Sequence, residues 1–197
     1  MIIKLIAVFV SIFTKVSNRL RYYYYGNLLG SLGKKVLFKA KVFFYNPENI
    51  SIGDNVFIGP FCRIETYNSF SSRPILSIES NVSIQHSVHI YCSRKLIIKK
   101  GSLIASGCMI TDNNHGMDPL DDIYLRQPLI SKQTIINEGV WLGENVCVNA
   151  GSTIGERSII GSNSVVVGNI PSYSIAVGSP ARVIKTYNFE TKQWQKV

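Results

Sequence analysis

A six-residue repeat of aliphatic and aromatic residues runs through the chain from Val36 onward. A helix would repeat its apolar positions every 3.6 residues and a two-faced strand every 2, so neither produces a period of six. Six residues suit a short flat strand plus a corner, and three such units close a triangular coil of about 18 residues. Eighteen positions share the frame: Phe38, Phe44, Ile52, Ile58, Ile64, Ile78, Ile84, Ile90, Ile98, Ile104, Ile110, Ile130, Ile136, Leu142, Val148, Ile154, Ile160 and Val166. The repeat predicts an all-β chain of roughly six stacked coils of parallel strands.

A second series of often smaller residues stands two positions before the first. Its members are Val36, Val42, Ile50, Val56, Cys62, Val82, Val88, Ser102, Cys108, Val140, Val146, Ser152, Ser158 and Ser164. Gly, Asn or Asp commonly follows the frame residue, as in Ile52-Gly53-Asp54-Asn55, and tolerates the positive φ that a sharp corner requires. An antiparallel sandwich would instead alternate with a period of two and space its strands irregularly.

Positive charge is concentrated at the amino terminus. Residues 1–47 carry eight Lys or Arg and no acid, whereas the remainder has 13 basic and 12 acidic residues. A nucleic-acid-binding domain would cluster its basic residues on the folded body, together with base-stacking aromatics. We therefore expect no nucleic-acid partner.

The first 25 residues predict a helix that does not cross a membrane. The apolar run over 2–13 is interrupted by Lys4 and Ser11, is shorter than the ~20 residues of a span, and lacks a signal-peptide cleavage site. On a helix, Lys4, Ser11, Lys15, Asn18 and Arg19 lie opposite Ile3, Ile6, Val10, Phe13 and Leu20. Two interpretations remain open: residues 1–25 lie on an anionic membrane surface, or they pack on their own domain or a neighbouring subunit.

The four cysteines form no CxxC pair, and Cys62 and Cys108 fall at positions expected to point inward. They are typical of small buried hydrophobic residues in a reducing compartment, so no structural zinc is expected.

The stretch 134–185 contains the elements VWLG, NAGSTIG, IIGSNSVV and GSPARVIK. These are similar to elements of the galactoside, maltose and polysaccharide O-acetyltransferases, and the chain from about 36 to 185 resembles a hexapeptide-repeat acyltransferase. The resemblance implies a left-handed parallel β-helix over 36–177, after an amino-terminal helical segment at 1–30. It also implies a short helix in the carboxy-terminal tail 178–197, and a homotrimer with active sites between subunits.

The largest interruption of the frame inserts TDNNHGMDPLDDIYLRQP at 111–128 and predicts a protruding loop. It places His115 five residues after Ile110, the offset of the catalytic histidine in the galactoside and maltose acetyltransferases. A neutral imidazole can take the proton of an acceptor hydroxyl and return it to the leaving thiolate. We expect His115 to be this base, with Asp118 or a loop carbonyl holding its other ring nitrogen. A second insertion, between Ile64 and Ile78, carries no readable motif.

The resemblance implies further roles near the reacting groups. Gln85 stands where the family usually has an Asn that supports them, and His86 and Asn114 are predicted to bind the acceptor. Related β-helices include a zinc-dependent carbonic anhydrase, whose site needs three converging histidines. Only His115 lies beyond His89, so no metal is expected.

Acetyl-CoA is the donor that the resemblance implies. Trp141 and Gly143 would flank its pantetheine arm, and Ser162 and Val167 would line the distal part of the groove. Arg182 and Lys185 match basic positions near the nucleotide phosphates, which favour guanidinium and ammonium partners. Val167-Gly168 replaces the Thr-Lys of many relatives and removes a hydroxyl and a cation.

Together these features predict an acetyl-CoA-dependent O-acetyltransferase acting on a sugar hydroxyl, in a cell-surface polysaccharide or its lipid-linked precursor. The basic amino terminus would hold a cytoplasmic enzyme at the inner face of the membrane, where such precursors are made. Two alternatives stay open: acetylation of an antibiotic or another small molecule, and a non-catalytic β-helix that serves as an assembly module.

Overall fold

The computed structural model describes residues 2–68 and 73–197, with side-chain surroundings from residue 13 onward. After one long helix, Ile2–Gly26, the chain winds through short strands that build three sheets, here called sheets A, B and C. Sheet A contains Ser31–Leu32, Ile50–Ile52, Ile75–Ile78, Lys95–Ile98, Thr134–Ile136, Thr153–Ile154 and Asn169–Ile170. Sheet B contains Leu37–Phe38, Phe57–Ile58, Ser83–Ile84, Leu103–Ile104, Trp141–Leu142, Ile159–Ile160, Ser174–Gly178, Ala181–Asn188 and Gln193–Lys196. Sheet C contains Phe43–Tyr45, Arg63–Thr66, His89–Cys92, Met109–Thr111, Cys147–Val148 and Val165–Val166. A 3₁₀ helix, Pro47–Asn49, and a two-stranded ribbon, Asn113–Asn114 with Ile130–Ser131, complete the elements.

Each coil gives one strand to sheet A, one to sheet B and one to sheet C before the next coil begins. The sheets are therefore the faces of a triangular prism, and the fold is the predicted left-handed parallel β-helix. Six complete coils occupy residues 31–166, and strands of a seventh follow, which confirms the predicted number. The first coil begins at Ser31, slightly before the predicted start of the repeat.

The prism is filled by the predicted repeat residues. Sixteen of the eighteen frame residues are buried, and all members of the second series are buried as well. In sheet B, for example, Ile84, Ile104 and Leu142 are fully buried and paired in register. Each contributes about 1.5–3 kcal/mol of hydrophobic stabilisation. Polar members such as Ser102 are satisfied by the backbone, with its hydroxyl 3.0 Å from the carbonyl oxygen of Asn137.

The corners and the cysteines agree with the sequence. Asn55 and Asn145 adopt positive φ values of 55° and 56° at corners. All four cysteines are free thiols, and Cys62 and Cys108 are buried as predicted.

Ile130 does not belong to the coil, so that part of the predicted frame is wrong. Its side chain is 41% exposed, and its strand pairs antiparallel with Asn113–Asn114. The ribbon forms the stem of the protruding loop, and the coil resumes only at Thr134–Ile136. The interruption therefore extends beyond residue 128.

The predicted short carboxy-terminal helix is also wrong. Ala181–Asn188 pairs antiparallel with Ser174–Gly178, and Gln193–Lys196 then pairs with it. The segment is rich in β-branched and aromatic residues that favour strands. It covers the edge that the last coil would otherwise leave unpaired, which removes a site for unwanted strand addition.

The carboxy-terminal end of the amino-terminal helix covers the opposite end of the prism. The Tyr22 hydroxyl donates to the carbonyl of Gly33 at 3.1 Å, and the Tyr25 hydroxyl donates to the carbonyl of Val42 at 2.8 Å. The Tyr25 ring also packs 4.8 Å from that of Phe38, between ring centroids. Within the described residues, no helix combines the length and hydropathy needed to cross a bilayer.

Candidate active site

Both insertions leave the prism at the same corner, between sheet C and sheet A, here called the C–A corner. The first follows Arg63–Thr66 and precedes Ile75–Ile78, and the loop with His115 follows Met109–Thr111 and precedes Thr134–Ile136. One strand, His89–Cys92, lies between their sheet C strands. Since neighbouring strands are about 4.8 Å apart, the two insertions begin about 10 Å from each other.

A buried aspartate fixes the base of the His115 loop. The carboxylate of Asp112 accepts hydrogen bonds from the backbone N–H groups of Ser93 (2.8 Å), Arg94 (2.8 Å) and Lys95 (2.7 Å). The carbonyl of Asp112 accepts one more, from the N–H of Lys132 at 2.7 Å. Both strands of the loop stem are thus tied to the preceding coil. Asp112 was not among the residues predicted from the sequence, although it directly follows the last regular coil strand.

His115 lies between two cavities. One, here called the acceptor cavity, has a volume of about 490 Å³ and is lined by Tyr67, Tyr91, Asn113, His115, Leu125, Gln127 and Leu129. The other has about 460 Å³ and is lined by Asn114, His115, Gly116, Met117 and Tyr124. Both volumes are typical of small-molecule sites. The imidazole is exposed and makes no hydrogen bond within the described part of the chain. A proton acceptor therefore stands where a donor and an acceptor molecule could meet.

The loop is held together by Gln127 rather than by Asp118. Gln127 is buried, and its Nε2 donates to the carbonyls of Asp118 at 2.7 Å and Asp122 at 2.6 Å. The Asp118 carboxylate accepts from the N–H of Leu120 at 2.9 Å, and no hydrogen bond joins it to His115 among the described residues. The predicted support of His115 by Asp118 therefore stays a prediction.

Gln85 and His86 lie at a different corner, between sheets B and C (the B–C corner). Gln85 donates to the hydroxyl of Ser83 at 2.9 Å, and His86 is exposed. One chain alone does not bring these two residues together with His115. His89 points outward from sheet C, half-buried between Arg63 and Met109 in neighbouring strands. In residues 2–68 and 73–197, no three His, Cys, Asp or Glu side chains gather into a metal-binding group.

An outward row on sheet B carries two of the six residues predicted to bind the donor, Trp141 and Lys185. Trp141, Ile159, Ile175 and Lys185 are paired in register across four neighbouring strands, and Trp141 is 47% exposed. Lys185 forms no ion pair among the described residues, and the Arg182 guanidinium donates to the carbonyl of Ala181. Trp141 and Lys185 lie three strands apart on this face. An exposed indole and cations spread along one face suit the arm and the phosphates of an acyl-CoA.

Gly143 and Ser162 stack at the B–C corner beside this row. A Cβ on Gly143 would lie 2.7 Å from the backbone nitrogen of Ser162, so only glycine fits there. The Ser162 hydroxyl accepts from the N–H of Glu144 at 3.1 Å. Val167 is exposed at the C–A corner instead. The structure thus groups the other predicted donor-binding residues and leaves Val167 on a separate edge.

The sequence matches a family model and a curated relative. Residues 133–168 match the model described as bacterial transferase hexapeptide (six repeats). WbbJ of Escherichia coli (strain K12), provisionally named a lipopolysaccharide biosynthesis O-acetyl transferase, is 37% identical over 158 residues. That alignment covers 77% of this chain and 79% of WbbJ.

Solved structures share the fold. A point mutant of AntD, an N-acyltransferase from Bacillus cereus in complex with dTDP-4-amino-4,6-dideoxyglucose and coenzyme A, is 25% identical with a TM-score of 0.72. The match covers 87% of this chain and 91% of AntD. The hexapeptide-repeat-containing acetyltransferase VCA0836 from Vibrio cholerae O1 biovar eltor, complexed with acetyl coenzyme A, is 26% identical with a TM-score of 0.56. That match covers 86% of this chain and 78% of VCA0836.

Proposed function

The chain belongs to the hexapeptide-repeat acyltransferases, and from this premise we propose that it transfers acetyl from acetyl-CoA to a sugar hydroxyl with His115 as general base. The observation that carries the proposal is the position of His115 between two cavities, directly after the first stem strand of an anchored loop. WbbJ, named for acetyl transfer in lipopolysaccharide biosynthesis, and AntD, bound to a nucleotide-linked amino sugar, support a sugar acceptor. We extend this to a cell-surface polysaccharide or its precursor.

Acetyl-CoA supplies a thioester whose carbonyl carbon is open to attack. His115 accepts the hydroxyl proton while the acceptor oxygen forms a bond to that carbon. As the carbon–sulfur bond breaks, the imidazolium returns the proton to the thiolate, so the products are an acetyl ester and free coenzyme A. An imidazole suits this role because its ring nitrogen can both accept and donate a proton.

We also propose that the site is completed in a homotrimer. Trp141 is exposed on the outward side of sheet B, and Phe43 is exposed on that of sheet C. Exposed apolar side chains of this kind favour burial against other copies. Such packing can also bring the B–C corner, with Gln85 and His86, to the C–A corner of a neighbour. Light scattering should give three times the chain mass, and a stable monomer at micromolar concentration would contradict it.

The direct test is thiol release from acetyl-CoA with a panel of sugars. Replacing His115 with Ala should lower turnover by about 10² to 10⁴-fold, the usual contribution of a positioned base. Acetyl-CoA binding should remain near that of the wild type, because Trp141 and Lys185, which are predicted to bind the donor, lie on sheet B and not in the His115 loop. Full activity in His115→Ala would remove this mechanism and favour the non-catalytic interpretation.

A second proposal concerns the helix Ile2–Gly26, which we place on an anionic lipid surface at the cytoplasmic face of a membrane. Its inward face carries Tyr22 and Tyr25, so it packs on its own coil with those residues. The opposite stripe is exposed and apolar, and consists of Phe13, Val16, Leu20, Tyr23 and Tyr24. Exposed Lys15 and Arg19 flank it, and Lys34 and Lys35 are on the first coil. Apolar residues beside cations are typical of interfacial helices.

Binding to vesicles of phosphatidylglycerol and phosphatidylethanolamine tests this placement. Each basic residue near the surface contributes about 1 kcal/mol, so Lys15→Gln with Arg19→Gln should weaken binding roughly 30-fold at low salt. Lys192→Gln with Lys196→Gln removes the same charge from the other end of the prism and should leave binding unchanged. Equal binding of all variants would favour packing against a neighbouring subunit.

A further inference from the structure

The first insertion contributes Tyr67 to the acceptor cavity, two coils before the loop that carries His115. Tyr67 is the last member of a chain of hydrogen bonds along one strand. Nε of Arg63 donates to Oε1 of Glu65 at 2.8 Å, and Nη2 of Arg63 lies 2.6 Å from the same oxygen. The other carboxylate oxygen, Oε2, accepts from the Tyr67 hydroxyl. Both oxygens of Glu65 are therefore engaged.

Glu65 is more buried than the two tyrosines that are paired with it in sheet C. Its position in sheet C is in register with Tyr45 in one neighbouring strand and Tyr91 in the other, yet Glu65 is only 3% exposed. Burying a carboxylate is costly unless it is paired, and here Arg63 and Tyr67 both pair with it. The result is a tyrosine whose hydroxyl is held by a buried carboxylate, which is itself paired with the half-exposed guanidinium of Arg63.

The hydrogen bond to Glu65 determines which hydrogen bonds the Tyr67 hydroxyl can still make with a ligand. The hydroxyl proton is committed to Glu65, so the oxygen can still accept a hydrogen bond from a ligand hydroxyl. Burial and the hydrogen bond to Glu65 raise the pKa of Tyr67, which keeps the phenol neutral at physiological pH. Tyr67 thus offers a ligand its uncharged phenol oxygen as a hydrogen-bond acceptor.

The rest of the acceptor cavity has the same chemical character. The rings of Tyr67 and Tyr91 and the side chains of Leu125 and Leu129 supply apolar walls, and Asn113 adds an amide. Over the described residues, no Lys, Arg, Asp or Glu side chain lines this cavity. Aromatic faces suit the C–H faces of a sugar ring, and amide and phenol groups suit its hydroxyls. A carboxylate-bearing sugar would find no cation in this lining.

We propose that Tyr67, positioned by Glu65, is a specificity-determining residue that binds an uncharged pyranose ring of the acceptor beside His115. The inference rests on the proposed function in one respect: it takes the bound sugar ring to be the part of the acceptor that receives the acetyl group. Tyr67 contacts the ring, and Glu65 acts through Tyr67 as a positioning residue.

The proposal is tested by glycoside binding without acetyl-CoA, so that binding and chemistry are separated. The probes are 4-nitrophenyl β-D-galactopyranoside and β-D-glucopyranoside, with 4-nitrophenyl β-D-glucuronide as the anionic counterpart. Saturation-transfer NMR titrations on the wild type should show binding of at least one neutral glycoside and at least tenfold weaker binding of the glucuronide. No binding of either neutral glycoside, or equal binding of the glucuronide, would overturn the proposal.

The variants separate ring, hydroxyl and anchor. Tyr67→Phe should weaken binding of the neutral glycoside several-fold by removing one hydrogen bond, and Tyr67→Ala should weaken it further by removing the ring. Glu65→Gln keeps the shape of the anchor but loses its charge, and should raise the acceptor KM with kcat retained. The matched control is Tyr173→Phe, which removes the same tyrosine-to-glutamate hydrogen bond, to Glu156, on another corner. It should bind like the wild type.

Two further outcomes are decisive. Wild-type binding by both Tyr67 variants, with melting temperatures showing that they are folded, would overturn the role of Tyr67. His115→Ala should retain glycoside binding while losing turnover. If the wild type binds neutral glycosides through Tyr67 but releases no thiol from acetyl-CoA, the subsite stands and the proposed acetyl transfer fails.

Discussion

The carboxylate of Asp112 accepts a hydrogen bond of 2.8 Å from the backbone N–H of Ser93, which lies one coil earlier. This contact and its neighbours attach the His115 loop to the rigid part of the molecule. The direction in which the loop leaves the prism is therefore set by a buried carboxylate and not by the loop sequence alone.

Replacing Asp112 with Asn should loosen this attachment. An amide is uncharged and has one acceptor oxygen, so the three N–H groups now shared by two carboxylate oxygens lose their charged partner and cannot all keep an acceptor. We expect the free energy of unfolding to fall by about 1–3 kcal/mol and kcat to fall with it, because His115 loses its fixed position. Calorimetry and turnover measure the two effects. Asp121→Asn, an exposed carboxylate of the same loop, is the control, and a wild-type melting temperature and kcat for Asp112→Asn would contradict the anchoring role.

Replacing Arg182 or Lys185 with Ala should weaken acetyl-CoA binding without slowing the chemistry. A hydrogen bond to a charged group contributes about 1.5–3 kcal/mol, which corresponds to roughly 10- to 100-fold in Kd. Turnover at saturating acetyl-CoA should match the wild type, because neither residue lines a cavity with His115. Isothermal titration measures Kd, with Lys192→Ala as the control. An unchanged Kd in both variants would place the nucleotide elsewhere.

The protein should lose stability at alkaline pH. Burial raises the pKa of the Cys108 thiol from 9.0 to about 11, and it also raises the pKa of the Cys62 thiol. Between these two pKa values the thiol is ionised in the unfolded chain but still protonated in the folded one. The contribution of Cys108 to the free energy of unfolding is therefore full below pH 9.0 and is lost as the pH rises to about 11. Urea titrations from about pH 8 to about pH 11 measure the loss. Cys108→Ser, the residue type at the equivalent position 102, should show a smaller loss, and an identical slope would contradict this assignment.

Adjacent residues of one strand should differ sharply in their contribution to stability. Ile104 is fully buried in the prism, whereas Leu103 points outward and is 39% exposed. Ile104→Ala should lower the free energy of unfolding by about 2–5 kcal/mol. Leu103→Ala should cost much less when measured under conditions that keep the oligomeric state unchanged. Equal costs would mean that the hexad frame is misassigned.

The coil could be predicted because its inward residues repeat along the chain and stack on their equivalents. The period alone assigns inward positions to Ile104 and Cys108, and both are buried. The period could not exclude Ile130, which has the right spacing and residue type. Its strand is instead set by pairing with Asn113–Asn114, a contact made inside the insertion.

Less of the candidate site could be predicted from the sequence. The loop of His115 was visible as an interruption, but its anchor Asp112 and its internal support Gln127 depend on backbone groups that no spacing reveals. The sharing of one corner by both insertions was open to prediction. Each coil contains three hexads, and Ile64 and Ile110 both belong to the third hexad of a coil. Counting hexads along the sequence therefore places both interruptions after a strand of sheet C.

The stacking of the coils makes the distance between the starting points of the two insertions a whole number of strand spacings. Tyr67 and His115 are carried by insertions two rungs apart, and the distance between their starting points changes only in steps of about 4.8 Å. Adding or deleting one turn of about 18 residues between them would widen or narrow the gap by one step while leaving every inward contact type unchanged. The number of turns between the two insertions therefore sets how far apart Tyr67 and His115 are carried, independently of the side chains that form the walls.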